Sequence, residues 1–199
     1  MKFFCHFGLA AFSNAYLIGP DDGGEAVLID PGAFDGTLLA MIEKNRLDVR
    51  HILVTHAHES HVRGVPTALK IYDATAYGIV PLPRIAKHRT VEDGAELELG
   101  GFRMRVIWTP GHSPDSVVYH MPPYLFTGDT LYAGAVGSTQ GQAAREQLLK
   151  SIRQEILTLD DETMIFPGHG PPSKVGIERL LNPDLREGDS QRLAVFRDP

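Results

Sequence analysis

Three histidines fall within six residues, in His56-Ala57-His58-Glu59-Ser60-His61, directly after an apolar run. Imidazole is a strong ligand for borderline metals, and a strand-to-loop junction can aim several side chains at one point. The same context recurs three times. His112 follows Thr109-Pro110-Gly111, Asp129 follows Phe126-Thr127-Gly128, and His169 follows Phe166-Pro167-Gly168. Each sits in a glycine-containing turn after an apolar strand, where ligands converge at one sheet edge. Five histidines and one carboxylate in one setting read as a metal centre. Such a centre activates water and polarises a carbonyl. Ser60 lies inside the cluster, yet no base is placed to make it a nucleophile, so its role is to hydrogen-bond a ligand or water. His6, His51, His88 and His120 read as packing or surface residues, and Lys87-His88-Arg89 as a solvated patch. Tyr132 and Tyr72 are candidates for lining a cleft.

The elements that must carry these residues are short. Strands are expected over 15–18 and 26–29, joined by Pro20-Asp21-Asp22-Gly23-Gly24, and over 51–55, leading into the histidines. A hairpin is expected over 95–99 and 102–107, with further strands over 117–120, 124–127 and 163–166. Helices are expected over 36–44, over 143–157, where Leu148, Leu149, Ile152 and Ile156 form a stripe, and over 175–181. Residues from Asn182 onward are polar and read as a surface segment. Strands outnumber helices, which indicates an α/β domain with helices covering sheets; no linker composition divides residues 1–199.

Composition narrows the function. With 199 residues, 43% of them hydrophobic and 22% charged, the chain has material for a real core and reads as globular. A formal charge of −6 without a basic block disfavours nucleic acid as the partner. No run reaches the roughly 18 apolar residues of a membrane span, so a membrane role is not expected either. The stretch Lys2-Phe3-Phe4-Cys5-His6-Phe7 imitates a signal sequence only faintly, since His6 interrupts it. One cysteine excludes a disulfide framework and fits a reducing compartment, so the expected location is cytoplasmic. Cys5 reads as a small hydrophobe.

Taken together, these motifs resemble the metallo-β-lactamase fold superfamily, whose hallmark is His-x-His-x-Asp-His followed by a separate His, an Asp and a last His. Thr109-Pro110-Gly111-His112-Ser113-Pro114, Leu125-Phe126-Thr127-Gly128-Asp129-Thr130-Leu131, Phe166-Pro167-Gly168-His169-Gly170-Pro171 and Asp30-Pro31-Gly32 are similar to its compact glyoxalase II-like branch, which lacks a C-terminal helical domain. The resemblance implies a four-layer αββα sandwich. It implies His56, His58 and His112 around a first metal, Asp129 as a bridge, and His61 and His169 at a second. The family aspartate is replaced by Ser60, and Glu59 occupies the variable neighbouring position. A hydroxyl is a poor ligand beside a carboxylate, so one tight site and a weaker or absent second are expected, with zinc as the metal and iron as the alternative.

The activity so implied is hydrolysis of a small thioester or related ester, with Asp129, His169 and Ser60 in catalytic positions. Gly137-Ser138-Thr139-Gln140 stands where compact relatives carry a charged Arg-Thr-Asp segment, which removes the cation expected for a glutathione conjugate. Two other accounts stand beside it. One is a mononuclear iron enzyme resembling the persulfide dioxygenases, using His56, His112 and Asp129. The other is a binding protein on a partly decayed hydrolase scaffold. The expected partner is a small-molecule substrate, and no patch in the sequence marks an oligomer interface.

Overall fold

The computed structural model describes residues 1–82, 85 and 87–186, so the surface segment expected after Asn182 lies largely outside the described residues. The chain opens with β1 (Lys2–Gly8), β2 (Ser13–Gly19) and β3 (Gly24–Ile29), an antiparallel meander. α1 (Gly36–Lys44) follows, capped by Asp35, whose carboxylate accepts from the amides of Thr37 and Leu38 at 3.0 Å. Leu38 and Ile42, one turn apart, face inward. β4 (Leu47–Leu53), α2 (Glu59–Val62), α3 (Val65–Ile71), β5 (Thr75–Gly78) and β6 (His88–Thr90) complete the first half. β3 through β6 are parallel, with α1 leading from β3 to β4 and α2 and α3 from β4 to β5, and the sheet order is β1-β2-β3-β4-β5-β6.

The second half contains β7 (Glu96–Leu99), β8 (Phe102–Trp108), β9 (Val117–Met121), β10 (Tyr124–Gly128) and a small hairpin of β11 (Leu131–Tyr132) and β12 (Ala135–Val136). α4 (Gln142–Ser151) leads into a π-helical turn over Ile152–Ile156, where the Leu157 amide reaches back five residues to the Ile152 carbonyl. β13 (Met164–Pro167), β14 (Ser173–Lys174) and α5 (Val175–Leu181) end the described fold. The second sheet runs β14-β13-β10-β9-β8-β7.

Strand alternation sorts the side chains into three cores. Ile18, Val27, Ile29 and Leu53 of one sheet meet Met104, Val106, Tyr119 and Phe126 of the other. Leu17, Leu28 and Ile52 face away, towards Leu38, Ile42, Val65 and Ala68 on the helices of the first half. Ile107, Val118, Leu125 and Ile165 meet Leu148, Ile152, Ile156 and Val175 of the second. The result is the αββα sandwich. At about 25 cal/mol per Å² of apolar surface, these three seams supply the dominant driving force for folding.

The two sheets are also tied at one end. The Val117 amide donates to the Thr55 carbonyl at 2.8 Å, the Tyr119 hydroxyl to the Val54 carbonyl at 3.0 Å, and the Tyr16 hydroxyl to the Pro167 carbonyl at 2.6 Å. At this end β3, β4, β8, β10 and β13 release their chains into loops.

Candidate metal centre

Each donor leaves the end of a strand. His56 follows β4, His112 follows β8, Asp129 follows β10 and His169 follows β13. His61 lies on α2, a single turn that folds back over the strand ends, and Gly32 permits this approach. A Cβ at Gly32 would fall 1.7 Å from the Ser60 carbonyl oxygen. Gly168 does the same on the opposite side, because a Cβ there would fall 2.3 Å from His61 Cε1 and 2.7 Å from Asp129 Oδ1. Only a hydrogen fits between the two.

Two overlapping groups of donor atoms result: His56, His61 and Asp129, all buried, and His56, His58 and His112, which opens to solvent at His58. His56 Nε2 and His112 Nε2 each lie 3.0 Å from His58 Nδ1, and 3.8 and 3.7 Å from Asp129 Oδ2. His61 Nε2 lies 3.3 Å from Asp129 Oδ1 yet makes no hydrogen bond, an orphaned buried polar atom. Nitrogens converging at such spacings, one of them without a partner, fit a cation between them better than any protein hydrogen bond. The chain thus offers one tight, enclosed position and one weaker, more open one, and the enclosed position uses His61, which the resemblance had assigned to the second, weaker metal.

Outer partners fix the rings. His61 Nδ1 lies 2.9 Å from Asp30 Oδ2, and the same carboxylate accepts from the Thr55 amide at 2.7 Å and the Thr55 hydroxyl at 2.6 Å. Thr55 Oγ1 in turn lies 3.1 Å from His56 Nδ1. His112 Nδ1 donates to the Ser138 carbonyl at 2.8 Å. Each of these three rings therefore turns its Nε2 inward, the arrangement by which outer carboxylates and carbonyls orient metal-binding histidines. Asp115 accepts from the Ala57 amide at 2.8 Å and holds the histidine loop itself.

Electrostatics follow from burial and charge. Burial, and then His61, push His56 down to about 2, so it is neutral and free to ligate. Burial and His112 lower His58 as well. Burial opposes charge on His61, but Asp30 and Asp129 overcome it and raise the ring to about 10. Burial disfavours ionised Asp129, yet the hydrogen bond from His169 and the nearby His61 ring hold it well below the ordinary carboxylate range. A cation taken up at His61 Nε2 replaces a proton that the same two carboxylates already favour.

The residues singled out from sequence are distributed as follows. His56, His58, His61, His112 and Asp129 meet in the two groups. His169 stands beside them: its Nδ1 donates to Asp129 Oδ1 at 2.8 Å, and its ring lies 5.3 Å from that of His61. Ser60 is half-buried on α2, with its carbonyl accepting from the Ser13 hydroxyl, and Glu59 is exposed. Tyr132 edges against His169 at 6.3 Å, with its hydroxyl raised by burial and by the Asp129 carboxylate. Tyr72 is placed elsewhere, against Phe34, because it ends α3 beneath the first helix layer. Sequence reasoning gave Asp30 no role at the centre. Its signal was an acid at a strand end beside Pro31-Gly32, a Pro-Gly pair like those that precede His112 and His169.

Known proteins with this fold differ in their named chemistry. A hydroxyacylglutathione hydrolase, GloC of Haemophilus influenzae, is 30% identical, the alignment covering 83% of this chain and 89% of GloC. The crystal structure of the BLEG-1 B3 metallo-β-lactamase superposes with a TM-score of 0.83 at 30% identity, covering 92% of this chain and 99% of that one. The ETHE1 structure from Myxococcus xanthus gives 0.83 at 32% identity, covering 92% and 84%. The profile of the metallo-beta-lactamase superfamily matches residues 9–169, a span that contains every donor described above. The chain belongs to the metallo-β-lactamase superfamily.

Proposed function

We propose that the chain is a metal-dependent enzyme that oxidises a small thiol persulfide with dioxygen, in the manner of the persulfide dioxygenases it resembles. The enclosed donor group carries this reading: His56, His61 and Asp129 are two histidines and one carboxylate, with His61 in the place that the sequence reading gave to His112. That set suits non-haem ferrous iron with coordination positions left open. Iron bound there supplies the one-electron chemistry by which dioxygen reacts with sulfur. The overall reaction takes a persulfide, dioxygen and water to the thiol, sulfite and two protons.

The chain's own residues contribute orientation, charge and proton handling. Asp30 holds His61 so that its Nε2 points inward. Asp129 presents Oδ2 to His56 and His112, while Oδ1 accepts from His169. His169, 35% exposed at its side chain, joins this buried carboxylate to the mouth and is placed to pass a proton outward. Ser60 offers a neutral hydroxyl to substrate or water. In place of an aspartate it leaves the centre one charge short of a full two-metal site, which favours a single tight ion. Retention of the oriented donors and their outer partners argues against a decayed scaffold that only binds.

A second reading, zinc-dependent thioester hydrolysis of the glyoxalase II-like type, is favoured by the other donor group. His56, His58 and His112 form a three-imidazole set of the kind that holds hydrolytic zinc, and the GloC likeness points the same way. His58 separates the two readings, because it belongs only to the open group. Protein purified without added metal is expected to hold about one iron per chain and to consume dioxygen when given a small persulfide. His58→Ala is expected to keep its iron. Zinc alone in the purified protein, with thioester turnover that disappears in His58→Ala, would replace this reading with the hydrolytic one.

A further inference from the structure

β1 stands at the end of the first sheet, pairing with β2 on one side and with no described strand on the other. The other edges of the two large sheets are blunted in the ways that keep strands from pairing with a second chain. β14 has two residues, β6 has three including Arg89, and β7 carries Glu96 and Glu98. β1 is seven residues long, and from Phe3 to Gly8 it contains no acid, lysine, arginine or proline.

The ladder decides which backbone groups this edge offers. The Asn14 amide turns away from β1 and donates to the Gly168 carbonyl at 2.7 Å. Phe7 and Asn14 therefore face each other as a non-hydrogen-bonded pair. The alternation of an antiparallel ladder makes Cys5–Tyr16 and Phe3–Ile18 pairs of the same kind. Phe3, Cys5 and Phe7 thus direct their N–H and C=O groups outward, with the exposed Cys5 at the midpoint of the set. An edge whose donors and acceptors are symmetric about one residue is complementary to a second copy of itself.

We propose that two copies of the chain pair through β1, antiparallel and two-fold about Cys5, joining their first sheets into one. Phe3 then lies opposite the partner's Phe7 and Cys5 opposite the partner's Cys5, and each such pair exchanges both N–H···O bonds. A shift by one residue sets outward groups against inward-bonded ones, and a shift by two leaves an outward residue of each strand unpaired. Phe7, 48% exposed, gains an aromatic neighbour, and Leu9, 73% exposed, comes beside the partner's Met1. Charge selects the same register. Lys2 lies at one end of β1, and near the other end Asp35 Oδ2 lies 3.1 Å from His6 Nε2, its carboxylate half exposed. Antiparallel pairing sets Lys2 diagonal to the partner's His6, and so beside the partner's Asp35, once on each side of the axis.

Sedimentation equilibrium of the full-length protein, over about 1–200 µM, reads the association. A micromolar dissociation constant is expected, as for a seam smaller than a standard interface of about 800 Å² per partner. Cys5→Lys sets two ammonium groups against each other at the axis, and Phe7→Pro removes an outward N–H while sparing the ladder with β2. Each is expected to weaken association at least about tenfold. Thr90→Lys, the same charge on the β6 edge, is expected to leave it unchanged. A short bis-maleimide is expected to join two wild-type chains through Cys5, the single cysteine, since opposed Cα atoms in such a pair lie about 5.5 Å apart. Protein that stays monomeric throughout the range overturns the proposal, and so does association that survives both β1 substitutions. Dimers that the bis-maleimide fails to trap overturn the axis at Cys5.

Discussion

Ser60 is the residue on which the character of the centre turns. An aspartate there would place a third carboxylate near His61, which already lies between Asp30 and Asp129. Without metal, three acids around one imidazolium repel more than they attract, whereas a second cation would satisfy them. Ser60→Asp is therefore expected to lose about 1 kcal/mol of stability in the metal-free protein. It is also expected to bind a second metal equivalent at least about tenfold more tightly than the parent. Chemical denaturation and metal titration read the two effects separately. Unchanged stoichiometry would show that the side chain at position 60 does not reach the second position. Asp30 makes a related point about legibility. Its partners, Thr55 and His61, lie 25 and 31 residues away, so nothing local revealed that this acid orients a ligand. The histidines themselves were legible because three share one loop.

Among the elements, those with strong patterns were visible in the sequence and those made by tertiary contact were not. α1 shows its cap and its Leu38–Ile42 spacing openly, and it runs over the expected 36–44. β4 begins four residues earlier than its apolar run because Leu47, Asp48 and Val49 pair with β3 despite their mixed polarity, with Arg50 at a break in the register. β1, whose residues imitate a signal sequence only faintly, carried no clear strand pattern, and it is a strand because β2 pairs with all seven of its residues. α2 has four residues, too few for any periodic signal. The stripe Leu148–Ile152–Ile156 correctly indicated a helix, but four-residue spacing cannot show that the ladder widens to a π turn at its end. The loop after β13 also carries a testable demand. Gly168→Ala would press a methyl group into His61 and Asp129. It is expected to cost about 1–3 kcal/mol through overpacking and to weaken metal binding by about 10- to 100-fold. Wild-type metal affinity in this variant would mean that the loop gives way more easily than its close packing indicates.

At the scale of the whole molecule, the centre lies across a seam. β1–β6 come from residues 2–90 and β7–β10, β13 and β14 from residues 96–174, and these two sheets bury one apolar layer between them. His56, His58 and His61 belong to the first half, and His112, Asp129 and His169 to the second, so a bound ion cross-links the halves. An ion that binds only the folded chain, at about 100 times its dissociation constant, adds about 2.7 kcal/mol of stability. For a domain of this size that raises the melting temperature by about 5–10 °C. Calorimetry with and without one equivalent of metal checks this, and an unchanged transition would mean that the ion does not bridge the seam. The division into halves also has a bearing on biosynthesis. A ribosome makes the chain from its N-terminus, so four imidazoles of the centre, His56, His58, His61 and His112, emerge before the carboxylate that anchors the enclosed site. A nascent chain can meet metal at the first loop, but it cannot enclose the ion until Asp129 has left the exit tunnel. Enclosure of the ion is thereby coupled to formation of the second sheet, which carries Asp129.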